Sequence, residues 1–232
     1  MWTRVKRAVR RRLNGRDAGR ISFGDLGGTE PISDQFGFDR GLPVDRYYIH
    51  DFLEKRAADI KGRTLEIGDD EYTARFGGGR TTLRDVLHVH AQNPAATIIG
   101  DLSVPDTLPE NTFDCAVITQ TIHLIWDMQA AVEELKRGLK PGGVLLLTTP
   151  GITQVDRDEW GAGWYWSLTQ MSAKRLFETV FGAENVTLGC YGNVYAATAF
   201  LQGLALEEVS QEKLDVYDPA YPMIITIRAV KA

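Results

Sequence analysis

"GRTLEIGDDEYTARFGGGR", residues 62–80, is the stretch on which the reading of the chain turns. Thr64-Leu65-Glu66-Ile67 is apolar and β-prone, and Gly68 follows at once, the pattern of a strand running into a ligand-binding turn. A nucleotide loop would go on supplying glycines, so that backbone could approach a pyrophosphate held at a helix N-terminus. Here the next residues are Asp69, Asp70, Glu71 and Tyr72. A carboxylate ~4 Å from a phosphate repels it by about 1–4 kcal/mol, depending on local dielectric. NAD, FAD and ATP therefore fit poorly, and a cationic or phosphate-free ligand is favoured.

Working outward, short apolar runs alternate with helical stripes. Strands are expected at Thr64–Gly68, Val86–His90, Thr97–Gly100, Cys115–Thr119, Val144–Thr149, Val186–Tyr191 and Met223–Val230. Upstream, "PVDRYYIHDFLEKRAADI" (43–60) puts Ile49, Phe52, Leu53, Ala57 and Ile60 on one helical face. Met128, Val132, Leu135 and Leu139 form a second stripe behind an N-cap at Asp127, ending at Lys140-Pro141-Gly142-Gly143. A third, Leu176, Phe177, Val180 and Phe181, has Ser172 as its expected cap, and a further helix falls near Val194–Leu204. Alternating βα units predict an α/β fold with a mostly parallel sheet, whose ligands gather at the strands' carboxyl ends. Residues 1–43 read as a basic segment and loop, and residues 44–232 as one domain.

The composition agrees with an ordinary globular chain: 232 residues, 44% hydrophobic and 25% charged. Charge is unevenly placed. Residues 1–20 hold eight Lys/Arg against Asp17 alone, leaving 18 basic and 30 acidic residues elsewhere, a formal charge of −12. An acidic body disfavours nucleic acid as a substrate. The basic start carries Trp2, Val5, Val9 and Leu13 at near-helical spacing, which reads as a solvated terminus or suits an anionic membrane surface or an acidic partner. Cys115 and Cys190 sit in apolar runs and read as reduced, buried thiols of a cytoplasmic protein. No apolar run reaches the ~18 residues of a membrane span, and no apolar h-region follows the basic start. His88-x-His90 alternates like a two-ligand metal edge but lacks a third ligand, so no metal is expected. No GxSxG, HExxH or P-loop occurs.

"IIGDLSVPDTLPENTFDCAVITQTIHLIWDMQAAVEELKRGLKPGGVLLLTTPG" (98–151) resembles the second half of a class I S-adenosylmethionine-dependent methyltransferase. The resembling residues are Gly100-Asp101-Leu102, Phe113-Asp114, Ile122-His123 and Leu139 to Gly143. "YWSLT" (165–169) is similar to a segment that follows the fifth strand in members acting on sugars and lipids. The resemblance implies a Rossmann-like seven-stranded, mostly parallel sheet with helices on both faces and an antiparallel strand near the C-terminus. It implies S-adenosylmethionine as cofactor, which has an ammonium and a sulfonium and no phosphate, and a small-molecule or glycan hydroxyl as acceptor.

Carried over residue by residue, Glu66 and Gly68 match the start of the family's ExGxGxG loop, while Asp70 and Tyr72 replace its later glycines. Asp69 or Asp70 would hold the ammonium group, with Gly77–Gly79 letting the displaced backbone turn. His90 stands where the family's ribose-binding acid would be, with His88 two residues earlier on the same strand face. Asp101 matches the acceptor of the adenine amino group, with Leu102 on the ring, and Gln120 opens towards the cofactor. His123, at the mouth of the fourth strand, is the candidate general base or a packing neighbour of the cofactor. Trp160, Trp164, Tyr165 and Trp166, behind Asp156, Asp158 and Glu159, suit a sugar ring or pack the loop. Arg46, Tyr47 and Tyr48 would close over the site as a lid, or Tyr48 belongs to the helix core. The departures from the glycine pattern sustain a rival reading, a methyltransferase-fold protein that has lost catalysis and binds a partner.

Overall fold

Alternation at every second residue of two central strands sets the architecture. The computed structural model describes Ser22 and residues 24–232. Seven strands, β1 (Gly62–Ile67), β2 (Thr81–His88), β3 (Ile98–Ile99), β4 (Phe113–Thr119), β5 (Leu139–Pro150), β6 (Val186–Tyr191) and β7 (Ile224–Val230), make one sheet in the order β3-β2-β1-β4-β5-β7-β6. The pairs β2·β3, β1·β2, β1·β4 and β4·β5 are parallel, and β7 runs antiparallel to both β5 and β6. This is the expected Rossmann-like sheet.

Helices α1 (Val44–Lys55), α2 (Met128–Gly138), α3 (Gln170–Phe181), α4 (Val194–Leu201) and α5 (Gln211–Leu214) cover it. On one face Ala116 and Ile118 of β4 and Leu145 and Leu147 of β5 pack with Val132 and Leu135 of α2 and Phe177 of α3. On the other, Cys115, Val117, Val144 and Leu146 pack against Ile49, Phe52 and Leu53 of α1. Strands buried on both faces have no polar side, which is why their sequences read as unbroken apolar runs. The first turn of α1 joins α4 and α5 through Val44, Tyr48, Ala196, Phe200 and Leu214.

Several boundaries move for local reasons. Asp127 caps α2, its Oδ1 accepting the Ala130 N–H at 3.0 Å. Helix α3, however, is capped by Thr169, and Ser172 stands at N3 as the reciprocal partner of a capping box rather than as the cap. Strand β2 begins at Thr81, opposite Gly62, rather than at Val86, and ends at His88 rather than His90. Strand β5 begins at Leu139, so Lys140-Pro141-Gly142-Gly143 lies inside it, with Gly142 at φ +77.

The chain divides into two compact units, Met1–Ile32 and Ser33–Ala232. In the first, the described residues hold one 3-10 turn, Gly24–Gly27; the basic residues of the first twenty and the Trp2/Val5/Val9/Leu13 stripe lie outside the described residues. The second takes in residues 33–43, read from sequence as part of the leading loop. This strap runs beside residues 202–206, with Ser33 N–H donating to Gln202 O at 3.0 Å, and a Cβ at Gly37 would lie 2.9 Å from Leu204 O.

Phe177 is fully buried between α3 and the sheet. Replacing Phe177 by Ala is expected to cost about 3–5 kcal/mol, lowering the urea midpoint at unchanged m; a loss under 1 kcal/mol would contradict this packing.

Candidate functional site

At the carboxyl end of β1, Glu66 is buried, 2% exposed, and its two oxygens accept the Tyr72 and Thr73 N–H groups at 3.0 and 2.8 Å. It thereby fixes the helical turn that follows, where the next N–H groups lack intrahelical partners. Burial pushes the Glu66 carboxyl up to about 7, against the pull of those N–H groups. Gly68 makes the turn at φ +84, and a Cβ there would meet nothing within 4 Å, so its outer side is open to close approach. Its N–H donates to Leu87 O and its carbonyl accepts from Asn93 Nδ2 at 2.6 Å.

The acidity of the loop is partly answered from elsewhere in the chain. Asp70 pairs with Arg84 Nε of β2 at 2.6 Å, which makes Asp69 rather than Asp70 the freer carboxylate for an ammonium group. Asp69 Oδ1 accepts the Glu71 N–H at 2.9 Å, and both side chains are exposed. Arg46, in the first turn of α1, pairs with Asp45 at 3.0 Å and lies 5.3 Å over the Phe38 ring. Burial works against its charge, yet Asp45 foremost, with Tyr72, Glu71 and Asp69, holds it above the ordinary arginine value. Tyr47 is tied to Asp215 by a 2.6 Å hydrogen bond, and Tyr48 is core, its hydroxyl donating to Leu214 O, so neither is poised to swing as a lid. Tyr72 turns its ring onto His50 and Phe76, at 5.7 and 6.1 Å, which explains how a bulky residue is accommodated at a glycine position.

His90 lies beyond the end of β2, not on its face. The chain bends after His88, whose Nδ1 accepts the His90 N–H at 3.0 Å, and His90 is exposed. No group of three or more metal-ligating side chains occurs among the described residues. Asp101, just after β3, is exposed and accepts from Ser103 N and Oγ through Oδ1, both at 2.8 Å. Leu102 is in the main core with Leu87 and Leu108 rather than on an open ring-binding surface.

The carboxyl ends of β4 and β5 hold the least satisfied polar groups. Gln120 leaves β4 at φ +47, a conformation that costs energy outside glycine, with its N–H bonded to Thr148 O. Its Nε2, His123 Nδ1, Thr148 Oγ1, Thr149 Oγ1, Gln154 Oε1 and Trp164 Nε1 are buried without a hydrogen-bond partner, as is Asp45 Oδ1 of α1. Buried polar atoms are rarely left unpaired, and a concentration at strand ends points to groups a ligand completes. His123 is 1% exposed, beneath Trp164 at a ring separation of 4.4 Å, rather than at an open mouth. Burial lowers its imidazole to about 4, so it stays neutral at ordinary pH.

The four aromatics expected as one platform separate. Trp164 turns inward, stacked on Phe36 of the strap at 6.0 Å and 9°. Tyr165 and Trp166 turn to Trp126, and Trp160 stands apart and exposed, its N–H donating to Asp156 Oδ2. Residues missed from sequence are Phe36, Phe38, Asp45 and Trp126. "QFGF" (35–38), two aromatics in a glycine loop, was the available signal for the first pair; Asp45 and Trp126 carried none, because only burial and exposure distinguish them.

Opposed titrations follow from the two buried groups. Glu66, raised from 4.5 to about 7, contributes stability that is full below pH 4.5 and lost as pH rises towards 7. His123, lowered from 6.5 to about 4, contributes stability that is full above pH 6.5 and lost as pH falls towards 4. Each slope is about 1.4 kcal/mol per pH unit, so they offset between pH 4.5 and 6.5. Glu66→Gln should unmask the histidine, stability falling as pH drops from 6.5 to 5 in urea titrations; a profile parallel to wild type would refute the assignment.

Among known proteins, residues 81–147 match the family described as methyltransferase domain. A protein of Mycolicibacterium smegmatis (strain ATCC 700084 / mc(2)155) named "Probable S-adenosylmethionine-dependent methyltransferase" is 33% identical over 93 residues, 40% of this chain and 32% of that protein. The match therefore spans about a third of the relative's length. A SAM-dependent methyltransferase from Archaeoglobus fulgidus superposes with a TM-score of 0.53 at 10% identity, covering 80% of this chain and 94% of that one. The [4+2]-cyclase SpnF superposes with a TM-score of 0.51 at 19% identity, covering 79% and 80%. A fold shared with a protein named for a different reaction does not assign chemistry by itself. The matched central segment is thus similar to a methyltransferase domain, and the Rossmann-like sheet around it is the fold shared with a solved S-adenosylmethionine-dependent methyltransferase.

Proposed function

We propose that the chain is an S-adenosylmethionine-dependent methyltransferase acting on a hydroxyl of a small molecule or of a sugar or glycan intermediate. The observation that carries this reading is the set of unpartnered buried groups, Gln120 Nε2, His123 Nδ1 and Trp164 Nε1, gathered past β4 and β5 in the same sheet whose β1 ends at the open turn of Gly68. The residues fit a phosphate-free, cationic cofactor. Asp69 is available for an ammonium group, Asp101 for an amino group through the oxygen not taken by Ser103, and Gln120 Nε2 for an acceptor. His90, past the end of β2, stands where a carboxylate would accept two hydroxyls.

When bound, S-adenosylmethionine supplies an activated methyl group on sulfur. The protein's remaining task is to align an acceptor and take a proton. A hydroxyl oxygen becomes far more acidic as it gains a methyl group, so a weak base suffices, and the neutral imidazole of His123 has an unpartnered nitrogen for that proton. Trp164, itself backed by Phe36, lies over it, so an acceptor reaches His123 only as Trp164 yields. The pairing of Asp70 with Arg84 and the exposed His90 favour the second reading, a partner-binding module that no longer holds cofactor.

Titration calorimetry with S-adenosylmethionine and S-adenosylhomocysteine separates the two: heat with both is expected, and none at millimolar ligand would leave the binding module. With an acceptor in hand, His123→Ala is expected to cut turnover roughly 100-fold or more with cofactor affinity retained. The wild-type rate should be flat from pH 6 to 8 and fall towards pH 4, following the lowered imidazole. An unchanged rate in the variant removes the histidine from the reaction.

A further inference from the structure

Beside the half-buried Trp164 stands a second aromatic group that faces water. Trp126 is 67% exposed and Tyr165 49%. Trp126 rests on Trp166, ring centroids 5.1 Å apart at 24°, and meets Tyr165 edge-on at 5.6 Å and 72°. The group is braced by backbone rather than left loose. Tyr165 and Trp166 N–H both donate to His123 O at 3.2 Å, and Trp166 Nε1 donates to Ile125 O at 3.1 Å. The turn after β4 and the loop after β5 are thus clamped together, with the shelf attached to the residue that carries the candidate base.

From this geometry we infer that Trp126, Tyr165 and Trp166 form a binding shelf for a neutral pyranose ring, which stacks a C–H face on Trp126 and meets the Tyr165 side chain at its edge. An exposed aromatic corner with a fixed angle selects a ring with one apolar face and a polar rim. The segment leading into it carries Asp156, Asp158 and Glu159 against Arg157, and Arg157 is engaged by Asp34 at 3.5 Å. That excess of negative charge in the loop disfavours a phosphorylated or carboxylated ring. It also disfavours an anionic membrane surface, the other common use of exposed tryptophan. The inference names an acceptor class for the proposed methyl transfer and rests on that reading for its biological sense, while the binding itself needs no cofactor.

The test is saturation-transfer NMR on the full chain without cofactor. The probes are the methyl glycosides of glucose, mannose, galactose and rhamnose, with maltotriose and cellotriose, at millimolar concentration, and indole and phenol as flat aromatic controls. Saturation is expected on the C–H protons of one face of at least one sugar. Trp126→Ala should raise its Kd about tenfold, and Trp126→Phe should recover most of the loss. Tyr165→Ala serves as an independent probe, and urea unfolding of each variant confirms that the fold is kept. No saturation of any sugar, saturation unchanged in both alanine variants, or saturation of indole and phenol alone would overturn the shelf. Sugar binding without cofactor heat would retain the shelf and remove methyl transfer, and the converse pattern would do the reverse.

Discussion

Strands β4 and β5 have no polar face. Cys115 and Val117 meet α1 while Ala116 and Ile118 meet the layer of α2 and α3, and Val144, Leu145, Leu146 and Leu147 repeat the alternation next door. Polar groups on these two strands are confined to their ends, Asp114 and Lys140 at the start and Thr119, Thr148 and Thr149 at the finish. In a parallel sheet the finishing ends lie on one side, so Gly68, Gln120, His123 and the threonines ending β5 are gathered there by the same burial that holds the domain together. The site inherits its polarity from what the sheet excludes.

Within that constraint the charges are arranged in pairs rather than as one acidic patch. Asp70 is engaged by Arg84 and Asp45 by Arg46, whose charge Asp69 and Glu71 also favour. Glu66 is withdrawn from solvent to hold the turn by Tyr72 and Thr73 N–H groups. A loop that reads as four successive carriers of negative charge or bulk therefore presents a far smaller field, with Asp69 and Glu71 its exposed members.

The fold was largely legible. All seven strands were anticipated, since apolar runs bounded by glycine and polar residues follow from burial on both faces, and β6 was placed to the residue. Errors clustered where pairing or capping, not hydrophobicity, sets the boundary: Thr81–Asp85 joins β2 because it lies alongside β1, and Thr169 outranks Ser172 as a cap. The site was legible by position along the chain and not by environment. Gln120 and His123 do follow β4, yet the Trp164 that covers His123 is backed by Phe36, 87 positions from the histidine.

The sequence by itself determined the succession of strands and the acidity of the turn after β1, because each depends on periodicity or local charge. Tertiary structure decided which of the acidic residues are neutralised, whether a histidine is a surface base or a buried neutral ring, and which aromatics face inward. Those properties depend on partners distant in sequence: Arg84 for Asp70, Phe36 and Trp164 for His123, and Trp126 for Tyr165 and Trp166. Burial and pairing are properties of the packed chain, and no window of sequence contains them.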